Sequence, residues 1–243
     1  MRVGLFVTCL VDMMRPSIGM SALRLLELAG CKVQVPRRQT CCGQPGWNSG
    51  DRASAVPLAR QTIEQFEDCE YLVAPSGSCA GMIKLQYPEM LAGEPEWQAR
   101  ARRLALKTYE LSDFLLNVAK LEAVPGRFDG VVAYHDSCAG LRELGVKAQP
   151  RTLLERVPGL RLVPLADGEV CCGFGGTFSI KYGDISSAMA ENKCRNIRAS
   201  GADAVVLGDL GCMLNIEGRL RKEGDKRTGV FHFAEILAGE TGR

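Results

Sequence analysis

Long apolar runs, blocks of like charge and secretion signals are all missing from this sequence. No stretch of 18 apolar residues occurs, which excludes an ordinary membrane-spanning helix. The apolar start from Val3 to Val11 is broken by Asp12 and carries no A-x-A-like cleavage site, so a soluble, intracellular protein is expected. The 30 basic and 28 acidic residues leave a net charge of +2, and no like-charge run exceeds three residues. That pattern offers no electrostatic footprint for nucleic acid. No P-loop, G-x-S-x-G elbow or H-E-x-x-H pair is present. The run Gly173 to Phe178 resembles a dinucleotide fingerprint only superficially, because Phe178 stands where the third glycine belongs. Neither half contains the C-x₂₋₄-C pair from which structural zinc sites usually draw their ligands.

Cysteine, by contrast, is abundant and ordered. Of 11 cysteines, Cys9, Cys41, Cys42 and Cys79 are echoed by Cys138, Cys171, Cys172 and Cys212 at offsets of 129, 130, 130 and 133 residues. This is an internal repeat. The text around them keeps the same register: "LRLLELAG" at Leu23 with "LLERVPG" at Leu153, "APSGSCAGMI" at Ala74 with "LGDLGCMLNI" at Leu207, and "ELSDFL" at Glu110 with "HFAEIL" at His232. A reducing cytosol keeps thiols unpaired, so such clusters point to metal binding or catalysis before disulfides.

Pro125 and Gly126 lie in "KLEAVPGRFD" between the halves, which places a domain boundary there and gives domains 1–125 and 126–243. Short apolar or β-branched runs read as buried strands: Val3 to Val7, Lys32 to Val35 and Tyr71 to Ala74, then Val131 to Tyr134, Leu160 to Leu165 and Ala204 to Leu207. Helical patterns separate them, one carrying Ile18, Ala22, Leu25, Leu26 and Ala29, another Leu58, Thr62, Phe66 and Cys69. The fold class is therefore α/β. Two pseudo-repeated halves each carry a small, mostly parallel sheet flanked by helices, with the cysteines at strand carboxyl ends. Ligands collect at that edge of an open parallel sheet. Four thiols per half meet there.

Adjacent cysteines in an extended segment point to opposite sides, whereas a tight turn lets both reach one centre. Gly43 and Gly173 permit that turn, and with Gly175 and Gly176 they can bring backbone N–H groups near cluster sulfides. Four thiolates from three loops suit an iron–sulfur cluster better than zinc. Zinc in a Cys₄ site remains the chemical rival, and eight inert buried cysteines the plain one. Cys31, Cys69 and Cys194 have no cysteine partner in the other half and read as core.

The patterns C-x₃₁-CCG with Cys79 and C-x₃₂-CCG with Cys212 resemble the duplicated cysteine-rich CCG domain. That domain occurs in heterodisulfide reductase and in the iron–sulfur subunits of glycolate oxidase and anaerobic glycerol-3-phosphate dehydrogenase. Over essentially the whole chain, "FVTCLVD", "CCGQP", "NSG", "EPEW", "LGVK", "CCGFGGTFS" and "GRLRKEG" resemble the lactate utilization protein A family, a short stand-alone form. The resemblance implies two CCG domains and metal ligation by Cys9, Cys41, Cys42, Cys79, Cys138, Cys171, Cys172 and Cys212, with one or two iron–sulfur clusters per chain. It further implies work with two other lactate utilization subunits in oxidising L-lactate to pyruvate, as a redox subunit and not a complete enzyme. The expected place is cytoplasmic, with membrane association only through partners. Where heterodisulfide reductase has a terminal C-x-x-C, Ser76 and Asp209 stand at the first position. The fifth thiolate is missing in both halves, which favours a [4Fe-4S] cubane held by four cysteines over a five-cysteine cluster. A zinc or scaffold protein, and an electron carrier for another 2-hydroxy acid or a disulfide, stay open as alternatives.

Some further residues sit close to these sets. Ser76 and Asp209 can offer an oxygen ligand, although a turn or helix cap is the commoner role. His135, followed by Asp136, precedes Cys138 at a strand end where a histidine can ligate or exchange a proton. His232 reads as structural, at a strand entering a helix. Trp47 and Trp97 are read as core residues before partner-surface ones.

Overall fold

A computed structural model describes residues 1–242 of the chain, which form two compact units, Met1–Leu121 and a second beginning at Glu122. The first unit runs β1 (Arg2–Leu5), α1 (Cys9–Met14), α2 (Pro16–Leu28), β2 (Lys32–Gln34), α3 (Gln44–Asn48), α4 (Arg52–Phe66), β3 (Tyr71–Ala74) and α5 (Gly77–Gly81). A π-helical turn, Met82–Gln86, leads into α6 (Tyr87–Met90), α7 (Pro95–Leu106), β4 (Thr108–Glu110) and α8 (Leu111–Asp113). Its four strands are all parallel and lie in the order β2-β1-β3-β4. Strand order reverses beside β1, so the loops after β1 and β3 diverge there and leave the crevice in which open α/β sheets bind ligands.

The second unit repeats the plan: β5 (Gly130–His135), α9 (Cys138–Leu144), α10 (Ala148–Leu154), β6 (Leu160–Val163), α11 (Thr177–Lys181), α12 (Gly183–Ala199), β7 (Ala204–Leu207), α13 (Leu210–Lys222), β8 (Gly229–His232) and α14 (Phe233–Ala238). The strands are again all parallel, in the order β6-β5-β7-β8. Strands buried on both faces read as continuous apolar runs, as Leu72-Val73-Ala74 and the fully buried Ala204 to Leu207 do. In the first unit α2 lays Ile18, Ala22, Leu25 and Leu26 against its sheet, and α4 adds Ala55, Ala59, Ile63 and Phe66. Each large side chain so buried contributes about 1.5–3 kcal/mol.

The expected strands overrun in three places for local reasons. Val7 is lost from β1 because its N–H donates to the Gln39 Oε1 side chain instead of a ladder partner. Lys32–Gln34 and Leu160–Val163 both stop short of a proline, Pro36 and Pro164, which has no N–H to give. One strand lies outside the expected set, β4, an edge of the first sheet; its counterpart β8 is the strand expected to enter a helix at His232. Pro125 and Gly126 belong to the body of the second unit, where Gly126 N–H bonds Leu237 O at 2.8 Å. No helix among the described residues is long and apolar enough to cross a membrane.

Candidate metal centres

Eight cysteines occupy matching places at the carboxyl edges of the two sheets. In the first unit Cys9 opens α1, directly after Thr8, a buried non-glycine residue at φ 74° whose Oγ1 accepts from Val11 N–H at 3.3 Å. A buried residue in that region stores backbone strain, a common mark of functional sites. Cys41 and Cys42 follow β2, and Gly43 at φ 85° starts α3. Cys79 lies in α5, where Ser76 Oγ accepts its N–H at 3.3 Å. The second unit places Cys138 at the start of α9, Cys171 and Cys172 after β6 with Gly173 at φ 89°, and Cys212 in the first turn of α13.

The left-handed φ of both glycines lets each Cys-Cys pair turn inward. It also aims each glycine N–H at the first sulfur of its pair, at 3.4 Å from Cys41 Sγ and 3.3 Å from Cys171 Sγ. Such donors stabilise a thiolate or a cluster sulfur. The space behind the two turns differs. A Cβ on Gly43 would come no nearer than 3.3 Å to Ala55 O, whereas one on Gly173 would lie 2.8 Å from Ser186 O.

Within each set the sulfurs touch in series. In the first, Cys9 and Cys42 each hydrogen-bond Cys41, and Cys42 Sγ lies 3.5 Å from Cys79 Sγ. In the second, Cys138 and Cys172 both bond Cys171, and Cys172 bonds Cys212. All eleven cysteines are free thiols. Cys41 and Cys171 are held well below the ordinary thiol pKa, Cys41 by the Cys42 and Cys9 thiols and Cys171 by those of Cys138 and Cys172. The donors are pushed up correspondingly, Cys9 and Cys138 chiefly by their bonds to those thiolates. Cys42, Cys79, Cys172 and Cys212 are buried, while Cys9, Cys41, Cys138 and Cys171 stay half-exposed, so each set reaches from core to surface. Four sulfurs in a chain of contacts with no disulfide are an arrangement a metal or cluster would satisfy.

The surroundings of the two sets agree in one respect and differ in others. The carbonyl of the second cysteine is held in both, Cys42 O by Tyr87 Oη and Cys172 O by Asn215 Nδ2, each at 2.8 Å. Three residues before the first cysteine, however, Phe6 stands in one unit and His135 in the other, both buried. His135 Nδ1 contacts Gly168 O at 3.1 Å, its Nε2 has no hydrogen-bond partner among the described residues, and a ring nitrogen lies within 4.8 Å of the Cys172 and Cys212 sulfurs. Burial, then the nearby Lys193, lower its pKa to about 3.

Lys193 itself is not among the residues the sequence singles out. The buried residues of α12 (Ser186, Ala190, Lys193, Cys194, Ile197) follow the spacing of those in α4 (Ala55, Ala59, Thr62, Ile63, Phe66), so Lys193 takes the place of Thr62. A lysine inside an otherwise apolar stripe is the signal that could have found it. Its Nζ donates to Asp167 O, it is 2% exposed, and its charge acts on Cys172 and Cys171. A cavity of about 210 Å³ runs past Lys193 and Asn192 to Cys171, and another of about 330 Å³ reaches Cys9 past Thr8 and Gln39.

The remaining sequence candidates fall as follows. Ser76 caps α5 and Asp209 takes the N-cap position of α13, both buried. Asp136 forms a bidentate pair with Arg151, both contacts at 2.7 Å, whose guanidinium lies over the Tyr134 ring. His232 caps α14 through Nδ1, which accepts from Ala234 N–H at 3.2 Å. Cys31 and Cys69 precede β2 and β3, at the opposite edge from the thiol set, and Cys194 faces Ile216 O. Cys69 is not on α4, which ends at Phe66; it is buried in the following turn. Neither tryptophan is in the core: Trp47 and Trp97 are half-exposed, with Arg52 over the first ring at 4.7 Å and Arg100 over the second at 4.1 Å.

Comparison with known proteins gives a consistent result. The CCG cysteine-rich domain family matches residues 3–84 and 132–217, enclosing one thiol set each time. Lactate utilization protein A of Geobacillus kaustophilus is 50% identical over 237 residues, covering 98% of both chains. The protein of that name from Halalkalibacterium halodurans is 47% identical over 98% of this chain and 96% of its own. Among solved structures, a hypothetical protein from Helicobacter pylori superposes over 97% of this chain and 48% of its own with a TM-score of 0.69 at 14% identity, a likeness of fold alone.

Proposed function

Because the chain belongs to the lactate utilization protein A family and carries two CCG cysteine-rich domains, we propose that it is the iron–sulfur subunit of a complex that oxidises L-lactate to pyruvate. The observation that carries the reading is the pair of four-sulfur sets, each in van der Waals or hydrogen-bond contact and each anchored by a glycine N–H. Cys9, Cys41, Cys42 and Cys79 would hold one cluster and Cys138, Cys171, Cys172 and Cys212 a second, of the [4Fe-4S] kind that four thiolates suit. When bound, such clusters supply one-electron transfer.

Oxidation of lactate releases two electrons and two protons, and the electrons leave one at a time toward an acceptor such as a quinone. This chain's own residues prepare the sites. The glycine N–H groups and helix starts favour thiolate, Tyr87 and Asn215 fix the Cys-Cys turn, and the half-exposed cysteines bring each site to the surface, where partner subunits can exchange electrons. Thiols that reach the surface in both units suit a redox subunit that works with two others in a cytoplasmic complex.

Anaerobic reconstitution with iron and sulfide tests the reading. The expected product is brown, with iron and acid-labile sulfide bound in proportion, and is bleached when the partner subunits and L-lactate are added. Uptake of zinc with no iron-dependent visible absorption would sink it in favour of a zinc scaffold. An iron-loaded protein indifferent to lactate would leave a carrier for another donor.

A further inference from the structure

The two thiol sets differ most at one position, and that position faces the metal site. His135 lies at the end of β5, three residues before Cys138, with its side chain fully buried. A carbonyl can only accept, so the contact between Nδ1 and Gly168 O at 3.1 Å means that Nδ1 carries the hydrogen. In the neutral ring Nε2 is then a bare lone pair. It is buried and has no hydrogen-bond partner among the described residues. Leaving such an acceptor unsatisfied is costly, and buried polar atoms of this kind are rare without a reason. A ring nitrogen lies within 4.8 Å of both Cys172 Sγ and Cys212 Sγ, close enough for one metal atom to be shared by all three. An imidazole whose Nδ1–H is tied to a backbone carbonyl is the usual arrangement behind a metal-bound Nε2, because the bond fixes the tautomer and the ring plane.

We propose that His135 is a fifth ligand of the second-half metal centre, bound through Nε2, and that the first-half centre has no such ligand because Phe6 occupies the corresponding place. The proposal rests on the second thiol set holding an iron centre. It makes the two centres chemically different: four sulfurs in the first, four sulfurs and a nitrogen in the second. With Ser76 and Asp209 in place of thiols three residues before Cys79 and Cys212, the second half gains a fifth donor from the neighbouring strand and the first does not. A neutral nitrogen donor removes less positive charge from iron than a thiolate does, so the second centre takes up an electron more readily than one that gained a fifth sulfur.

Pulsed EPR on the reduced, reconstituted full chain reads this directly, since the sequence holds two histidines, His135 and His232. The spectrum should contain a strong nitrogen coupling typical of directly bound imidazole, which changes isotope pattern when the protein is grown on ¹⁵N-histidine. The coupling should survive Cys42→Ser, which removes the first centre, and disappear in His135→Phe, which installs the residue found in the first half. Should His135→Phe fail to fold, the labelled unsubstituted protein alone decides. A second-half centre that retains its iron and sulfide but shows only weak, remote nitrogen coupling would overturn the inference while leaving the iron–sulfur reading intact, as would a coupling that persists in His135→Phe. If no iron signal is lost on Cys172→Ser, the iron–sulfur reading of that set falls and the inference falls with it.

Discussion

Phe6 and His135, Thr62 and Lys193, Glu110 and His232 are three pairs of residues at equivalent places in the two halves, and in each pair the chemistry differs. The sulfurs, the glycine turns and the strand order do not. The repeat keeps the residues that position the thiols and varies those that surround them. Around Cys9, Cys41, Cys42 and Cys79 the lining is an aromatic ring, a threonine held by Tyr87 Oη at 3.3 Å and the neutral amide of Gln39. Around Cys138, Cys171, Cys172 and Cys212 it holds an imidazole and a buried cation. Cations in a low dielectric stabilise thiolates and reduced clusters, so Lys193 would favour electron uptake by a cluster held in the second set.

The largest expected difference concerns stability. Glu110 ends β4 fully buried, accepting from Ser112 N–H at 2.8 Å and Asp113 N–H at 3.2 Å, and burial pushes its pKa from 4.5 up to about 7. Between those values the folded chain keeps a proton that the unfolded chain has lost, so stability falls as pH rises through this window. The loss reaches ~3 kcal/mol at most. His232 fills the same place in the second half, so Glu110→Gln should flatten the pH dependence of unfolding by denaturant between 4.5 and about 7, the window those two values set. An unchanged slope would refute the burial argument.

Next in size are the two turn glycines. Both sit at left-handed φ, where an L side chain costs about 1–2 kcal/mol. At Gly173 the added Cβ also meets Ser186 O at 2.8 Å, a backbone atom that cannot yield, while at Gly43 the nearest atom is at 3.3 Å. Gly173→Ala should therefore unfold at clearly lower denaturant than Gly43→Ala. Equal midpoints would mean that the helix behind Gly173 gives way.

Lys193→Met should lower the reduction potential of the second-half centre and leave the first unmoved, because the cation favours the more negative, reduced state. Each ~1.4 kcal/mol of lost interaction corresponds to about 60 mV in a one-electron titration. A shift in both centres, or upward, would contradict the placement of the charge. Smallest is the loss of one bond to a Cys-Cys carbonyl: Tyr87→Phe and Asn215→Leu should each cost about 1 kcal/mol in thermal unfolding. Since Tyr87 also meets Thr62 Oγ1, its variant should be the more costly of the two.

The repeat makes much of this legible without coordinates. Six strands, the parallel order and the gathering of four thiols per half follow from apolar runs and cysteine offsets. Strand β4 is hidden because three residues ending in Glu110 carry too little apolar signal, whereas Val230 and Phe231 before His232 mark β8, and the echo of "ELSDFL" in "HFAEIL" links the two. Cys69 looks helical because a turn can continue the spacing of α4 past its end at Phe66. Lys193 is one of 30 basic residues, and nothing but its position in a buried stripe distinguishes it. His135 stands out as an asymmetry, but the bond that fixes its tautomer comes from Gly168, a residue 33 positions away.

The central claim is that each thiol set holds its own iron–sulfur centre. Mössbauer spectroscopy on anaerobically reconstituted, ⁵⁷Fe-enriched protein tests it most directly, with Cys42→Ser and Cys172→Ser measured beside the unsubstituted chain. The account predicts two distinguishable iron components, one lost with each substitution while the other persists. A single component unaffected by one of the substitutions, or iron lost wholly with either, would contradict it.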